Sequence, residues 1–581
     1  MADYEKLPLV QQHGAAFNDP NGSARRPRTT HRGLIMTVFA LIAGYSLLVH
    51  SKDYLRDLVP GESQSAEARC PQVEPLLPVR QTDSLSELEQ YLDSGKFRNE
   101  TIARLSGAVQ VPSESYDDLG PVGEDKRWDT MYDVAAYLKK TFPLVHSKLQ
   151  LEKVNTHGLL YTWAGSDTSL KPTVLMAHQD VVPVAASTVN QWTHPPYSGF
   201  YDGKYIWGRG SSDCKNTLIG ILESVELLLD AGFEPKRTFI LSFGFDEESS
   251  GNQGAGHLGE ALLERYGENG VALIVDEGSA IMPFWGSYFA TPGVVEKGYM
   301  DVDVIVRMPG GHSSVPPAHT GIGVMSEFIA LVENNRYEPH FDSENPFLQA
   351  LQCGAAYSPE FPPSWKKLLP TNKGGDRHKT EKLAHAVAAS SDMLKYLFTT
   401  SVAVDIIGGG VKANALPERT TALINHRINI GSSSTDVKKH LTHLASKITQ
   451  KYNLTLHAFD GEETPSSITL SLSKDPLEPA PVTPTEIDSL TPYAILSGTT
   501  RALYGEELYV SPGLMTGNTD TRYYWGVTKH IFRYAPGWDP EDEGGLGNIH
   551  TVDERISVLN HINVVKWYTM FVRNVDEAEL S

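Results

Sequence analysis

From Leu149 to Val275 short runs of apolar and β-branched residues alternate with segments whose apolar positions recur every three or four residues. This alternation predicts an α/β layer built on a mainly parallel central sheet. The strands read as PTVLMA from Pro172, TFILSFGF from Thr238 and VALIV from Val271. Between the first two, Leu218, Ile221, Leu222, Val225, Leu228 and Leu229 fall at helical spacing, which marks a face packed on the sheet. From Met300 the rhythm changes to strand, helix, strand, strand, helix, strand, starting near residues 300, 321, 401, 420, 435 and 454. That order is a β-α-β-β-α-β split unit. The pattern therefore predicts an α/β domain in two parts, 85–296 and 465–581, interrupted by a smaller domain over 297–464. The second part closes on an amphipathic helix from Arg555 to about Arg573. The stretch 335–395, rich in Pro, Gly and Lys, shows no clear period.

Ahead of this region the pattern is of another kind. Residues 33–49, GLIMTVFALIAGYSLLV, carry no charge, and a run of this length is just enough for a helix to cross a bilayer. A buried core helix and a cleaved signal peptide are the alternatives. Arg25, Arg26, Arg28 and Arg32 crowd the N-terminal flank, whereas Lys52 and Arg56 are offset by Asp53 and Asp57. The polar segment before the run is long, and no small-x-small cleavage site follows it. We therefore expect a signal anchor over 33–50, with residues 1–32 in the cytosol and the rest in a lumen or outside the cell. Residues 51–84, rich in Pro, Glu, Ser and Gln, read as a flexible stalk. On this topology the sequons at Asn99 and Asn453 are expected to carry glycans, while that at Asn21 stays bare.

Composition narrows the classes of function. The 581 residues include 71 acidic and 50 basic side chains, a net charge of −21, which argues against a nucleic-acid partner. Cys70, Cys214 and Cys353 permit at most one disulfide and leave an odd thiol.

Candidate chemistry gathers where the predicted strands end, at the crevice that an open α/β sheet presents. His178 and Asp180 follow the first strand, Asp246, Glu247 and Glu248 the second, and Asp276 and Glu277 the third. Asp213 stands at the turn that opens the intervening helix. Each alone has an ordinary reading, as a helix cap, a solvated loop or a core histidine. Together they form a set of oxygen and nitrogen donors suited to zinc.

The segments AHQDVVPV, WGRGSSDCKN, FDEESSG and DEG, followed by GGHSSVPP and a late NIHTVDER, resemble the aminoacylase and carboxypeptidase family of two-zinc exopeptidases, and within it the vacuolar Gly-X carboxypeptidases. The resemblance runs from about Leu85 to the C-terminus. It implies two Zn²⁺ ions, with His178 and Asp276 on one, Glu248 and His550 on the other, and Asp213 between them. Asp213, Glu248, Asp276 and a bridging hydroxide would neutralise the two ions, which limits the cost of burying the site. Asp180 is placed to orient the His178 imidazole. Glu247 is implied as the general base that deprotonates the zinc-bridged water, which attacks the amide carbon, and that then returns the proton to the leaving amine.

In this family the inserted domain is a lid and dimerisation domain. His312 resembles the histidine that reaches across a dimer to the oxyanion. Asn414 and Arg427 resemble the substrate-binding Asn and Arg, and Arg suits a free carboxylate. Gly517, in the segment GNTDTR, is placed in the same pocket by resemblance alone. Asn518 in that segment and Cys214 beside Asp213 depart from the aminoacylase branch and push the expected substrate towards peptides. Cys214 is expected to be a packed thiol. The implied activity is removal of a C-terminal residue from short peptides bearing a free carboxylate. The alternatives are hydrolysis of N-acyl amino acids and a catalytically inactive membrane-anchored binding ectodomain. The implied location is the vacuole.

Overall fold

The computed structural model of the protein describes residues 65–370, 376–542 and 547–580. The expected anchor at 33–50, its basic flank, the cytosolic tail and the Asn21 sequon lie outside the described residues. Among those described, no helix is long and apolar enough to cross a membrane.

The strands that position the site are, in chain order, β1 (Gln150–Val154), β2 (Gly158–Trp163), β3 (Thr173–His178), β4 (Phe239–Gly244), β5 (Leu273–Ser279) and β6 (Gly293–Glu296). There follow β7 (Gly298–Arg307), β8 (Gly311–His312), β9 (Ser401–Gly409), β10 (Ala415–Leu416), β11 (Arg419–Ile428) and β12 (Thr455–Ala458). The last are β13 (Ser467–Leu472), β14 (Gly513–Met515) and β15 (Ile531–Tyr534).

Eight strands form one mixed sheet in the order β1-β2-β4-β3-β5-β15-β6-β14. Its middle, from β4 through β3 and β5 to β15, is parallel, and β1 and β2 join antiparallel at one side. Every residue of β3 and β4 is buried, which accounts for their continuous apolar reading: a parallel strand covered on both faces has no polar side to alternate with. Helix α1 (Lys215–Asp230) packs against β3 and against the C-terminal helix Val558–Glu577. It is buried through nearly its whole length: the expected apolar face packs inward, and Glu223 and Glu226 are covered as well, accepting from Thr101 and Arg104 and from the backbone N–H groups of Leu144 and Val145.

The lid sheet has the order β9-β11-β7-β13-β12, with Val302, Val304, Ile424 and Leu470 packed against Phe328, Leu441 and Leu444 from the helices Gly321–Asn334 and Ser434–Tyr452. The split unit is present, with one strand more than the sequence pattern indicates. Strand β13 pairs with β7 over six residues, inside the lid sheet. The lid therefore extends past the expected boundary at residue 464. A single residue, Lys297, separates β6 of the large sheet from β7 of the lid.

The expected stalk is also corrected. From Ser65 onward the chain is docked on the body. Cys70 forms a disulfide with Cys353, Gln72 exchanges two hydrogen bonds with the Val510 backbone, and Arg80 pairs with the buried Asp576 at 2.9 Å. A cross-link and backbone hydrogen bonds order this segment, and neither leaves an apolar period to read. Cys353 lies on the helix Pro346–Tyr357 of the 335–395 stretch, whose Phe341, Phe347, Leu351, Trp365 and Leu383 pack in a core shared with Val295, Ile430 and Leu514.

Candidate metal centre and carboxylate pocket

Strand β3 delivers His178 at its carboxyl end, and the imidazole is oriented from behind. Its Nδ1 faces the Asp180 backbone carbonyl at 3.0 Å and the Asp180 carboxylate at 3.2 Å. The same carboxylate accepts the backbone N–H groups of Glu247 and Glu248 and the Ser115 hydroxyl. Asp180 thus fixes at once the first histidine and the turn carrying two further site residues.

With Nδ1 so held, Nε2 of His178 points at Asp213 Oδ1 (3.2 Å) and Glu277 Oε1 (3.3 Å). The other oxygen of Asp213 lies 3.0 Å from Nε2 of His550, which also meets Glu248 Oε2 at 3.1 Å. Asp213 therefore stands between two histidines, one oxygen towards each. The Asp213–Cys214 peptide is cis, and the backbone N–H groups of Gly210, Ser212 and Asp213 all donate to Glu554 Oε1. Glu554 is itself buried and paired with Arg209 at 2.6 Å. His550 adopts a left-handed backbone conformation, φ 60°.

One contact differs from the expectation. The carboxylate that meets His178 is Glu277, not Asp276. The two are adjacent on β5, and successive side chains of a strand point to opposite faces, so only one of them can face His178. Asp276 is paired in register with Arg533 of β15 and is buried, with Oδ2 lacking a hydrogen-bond partner. Sequence reading also missed Glu554, because nothing in a run such as TVDER distinguishes a buried acceptor from a solvated acid. Cys214 is a free, buried thiol whose Sγ accepts the His178 N–H at 3.4 Å. Burial, followed by the charge of Glu277, pushes its pKa well up, so it packs as a neutral group.

Glu247 stands beside this cluster, and its side chain takes no part in the contacts just described. Burial first, then the charges of Glu277, Asp520 and Glu248, raise its pKa well above the ordinary carboxyl value.

The expected substrate residues separate into two groups. Arg427, half-buried on β11, donates from Nη1 to Asn518 Oδ1 at 2.9 Å, and its guanidinium lies 4.8 Å from the centre of the Tyr299 ring. Gly517 faces open space. Two residues beyond Asn518, Asp520 is buried within the electrostatic reach of Asp246, Asp276 and His178. One short loop thus runs from the lid arginine to the edge of the metal-facing cluster. His312 and Asn414 lie elsewhere. His312 pairs with Ala415 across β8 and β10, both it and Asn414 are exposed, and neither touches Arg427 or the cluster within this chain.

Residues 174–574 match the model of peptidase family M20/M25/M40. The chain belongs to this family. Among its relatives, carboxypeptidase S of Saccharomyces cerevisiae is 42% identical over 534 residues, covering 89% of this chain and 90% of that protein. The human N-fatty-acyl-amino acid synthase/hydrolase PM20D1 is 32% identical, over 81% of this chain and 87% of its own length. Of solved structures, the M20 family metallo-carboxypeptidase Sso-CP2 from Sulfolobus solfataricus shares the fold, with a TM-score of 0.56 and 18% identity, over 82% of this chain and 99% of that one.

Membership in M20/M25/M40 implies a metal cofactor, typically zinc, and the residues fit one. Two imidazole nitrogens and the carboxylates of Asp213, Glu248 and Glu277 converge, and Glu248 Oε1 is buried without a hydrogen-bond partner. Burial, together with the charge of Asp213, pushes Glu277 up to about 8. Asp276, raised chiefly by burial, reaches about 7. The fold holds more negative charge here than a buried site tolerates, and a divalent cation is the counter-charge these donors are chemically suited to accept.

Proposed function

We infer that this M20 peptidase is a zinc metallocarboxypeptidase that releases the C-terminal residue of short peptides, with Gly before the scissile bond. The observation that carries the reading is the 517–520 loop. It borders the metal-facing cluster at one end, and at the other it holds a guanidinium that has no carboxylate partner among the described residues. A cation left unpaired next to hydrolytic machinery fits a substrate with a free C-terminal carboxylate.

Two zinc ions would be held by His178 and Glu277, by Glu248 and His550, and by Asp213 between them, and would supply Lewis-acid polarisation of the carbonyl and acidification of water. Glu247, its basicity raised by its surroundings, takes the proton of the attacking water and gives it to the departing amine. Asp180 keeps the His178 imidazole and the Glu247 turn in register while this happens. Arg427 receives the carboxylate and sets the distance from the chain end to the scissile bond. His312 donates to the oxyanion of the tetrahedral intermediate, and since it lies on the exposed lid, it serves the site of a second copy. Val315 and Val411 are 82% and 98% exposed, and Ile406 and Ile407 project from the edge strand β9, an apolar margin that fits pairing of two lids. Asn414, on the loop after β9, joins the same margin.

Asn99 and Asn453 are both exposed, as acceptors of lumenal glycans must be. With the apolar run 33–49, they support a vacuolar enzyme anchored by its N-terminus. The likeness to PM20D1 favours a second substrate class, N-acyl amino acids, which present the same carboxylate to Arg427. The test is leucine release from N-blocked Gly-Leu and from N-acetyl-leucine. Faster release from the dipeptide supports the carboxypeptidase, and preference for the acyl compound replaces it with the second reading.

A further inference from the structure

We propose that Asn518 is a positioning residue that keeps Arg427 aimed and fully charged for the substrate carboxylate, and that an uncharged amide is required at this position. The proposal rests on the reading of Arg427 given above. Asn518 belongs to a loop of the large α/β domain, yet both ends of its amide reach the lid or the joint leading to it. Oδ1 accepts from Arg427 Nη1 at 2.9 Å, and Nδ2 donates to the backbone carbonyl of Lys297 at 2.7 Å. A guanidinium can only donate and a carbonyl can only accept, so the two contacts fix which end of the amide is which. Asn518 thereby ties Arg427 to the single residue joining the two sheets.

The charges around this loop give the amide its meaning. Lys297 is buried with Nζ on the carbonyls of Tyr396 (3.2 Å) and Thr399 (2.6 Å). Arg522 donates to the carbonyl of Thr519 at 3.2 Å. Arg427 has Asn518 and the Tyr299 ring. None of these three cations forms an ion pair with a carboxylate among the described residues, in a chain whose net charge is −21. Neutral oxygens, not carboxylates, hold all three in place, and burial, with the charge of Arg427, lowers the Lys297 ammonium to about 7. A carboxylate at residue 518 would have nearly the same shape, but it would pair with Arg427, compete with the ligand and face the Lys297 carbonyl with no proton to donate.

This ordering of effects is opposite to that of a merely structural residue. If Asn518 only filled space, the isosteric Asn518→Asp would be milder than Asn518→Ala, and if it only held the loop through the Lys297 carbonyl, both variants would lower the thermal midpoint without a selective rise in KM. On the present account Asn518→Asp is the worse of the two. The experiment measures kcat and KM for N-blocked Gly-Leu with zinc-loaded full-length protein, wild type and the variants Asn518→Asp, Asn518→Ala and Arg427→Met, alongside thermal midpoint and bound zinc. The expected result is a KM raised at least tenfold in Asn518→Asp and several-fold in Asn518→Ala, with kcat changed far less and zinc retained. Equal effects, a milder Asp than Ala, or a loss confined to kcat would overturn the proposal. Should Asn518→Asp not fold, Asn518→Ala decides alone: a several-fold higher KM supports the proposal and an unchanged KM overturns it. Arg427→Met separates the two levels. If it leaves KM unmoved, carboxylate capture by Arg427 fails and the role of Asn518 fails with it. If it raises KM while the Asn518 variants do not, only the proposal for Asn518 is lost.

Discussion

The metal-facing half of the site and its substrate-facing half are built in different ways. His178, Asp213, Glu248, Glu277 and His550 converge within one chain, with His178 and the Glu248 turn braced by Asp180 and the Asp213 turn by Glu554. The substrate-facing residues are divided. Arg427 is half-buried and hydrogen-bonded to a loop of the other domain, whereas His312 and Asn414 are exposed on a two-stranded piece of the lid. The contrast teaches that the hydrolytic centre is preorganised by the fold of one chain. On the reading above, the groups that grip substrate depend instead on how the lid is placed against the body and against a second chain.

The largest effect expected from disturbing this arrangement is at Glu247. Glu247→Gln should retain zinc by elemental analysis yet lose about 10²–10⁴-fold in kcat, the usual worth of a positioned general base. A variant of near-normal rate would remove Glu247 from the mechanism. Next comes Glu277, proposed above as a ligand in place of Asp276. Glu277→Ala should lower zinc content and activity together, and Asp276→Ala should retain more zinc than Glu277→Ala. The reverse order would restore Asp276 as the ligand.

The division between one chain and two can be tested by mixing. Glu247→Gln and His312→Ala chains are each expected to be nearly inactive alone. After dissociation and reassociation together they should regain activity, because one of the two sites then combines an intact Glu247 with the partner's intact His312. No recovery in a mixture shown to contain mixed dimers would place His312 outside the site.

The smallest expected effect concerns acidity. Burial pushes His426, next to Arg427 on the lid strand β11, down to about 4, and His561 in the body down to about 3. A histidine held neutral in the folded state stabilises it fully only above its unfolded pKa, near 6.5, and that contribution is lost as pH falls towards the folded value. Denaturant unfolding should therefore show stability declining from pH 6.5 towards pH 4, by up to about 3 kcal/mol for His426. A flat profile over that range would contradict the burial of these rings in solution.

The division in the site also marks what the sequence could disclose. Strand ends next to acidic and histidine residues point to the metal-facing half, because a parallel sheet collects its strand termini at one crevice. The choice between Asp276 and Glu277 was not legible, since it turns on which face of β5 each side chain takes. Bracing by Glu554 was equally hidden, as it joins residues more than 300 positions apart in sequence. In the lid, β7, β9 and β11 follow from their alternation. Strand β13 was absorbed into the following segment because a proline-containing turn looks like a domain boundary. The docked segment after Ser65 is hidden for a related reason: a disulfide and backbone pairing order it without the apolar periodicity that a sequence displays.

Zinc titration of the chelator-stripped full-length protein, followed by leucine release from N-blocked Gly-Leu, tests the central claim most directly. The account predicts negligible release without metal and a rise that saturates at two zinc ions per chain, with Asp213→Asn unable to reach that level. Full activity at one ion per chain, or release indifferent to the chelator, would contradict a site in which Asp213 stands between two metals.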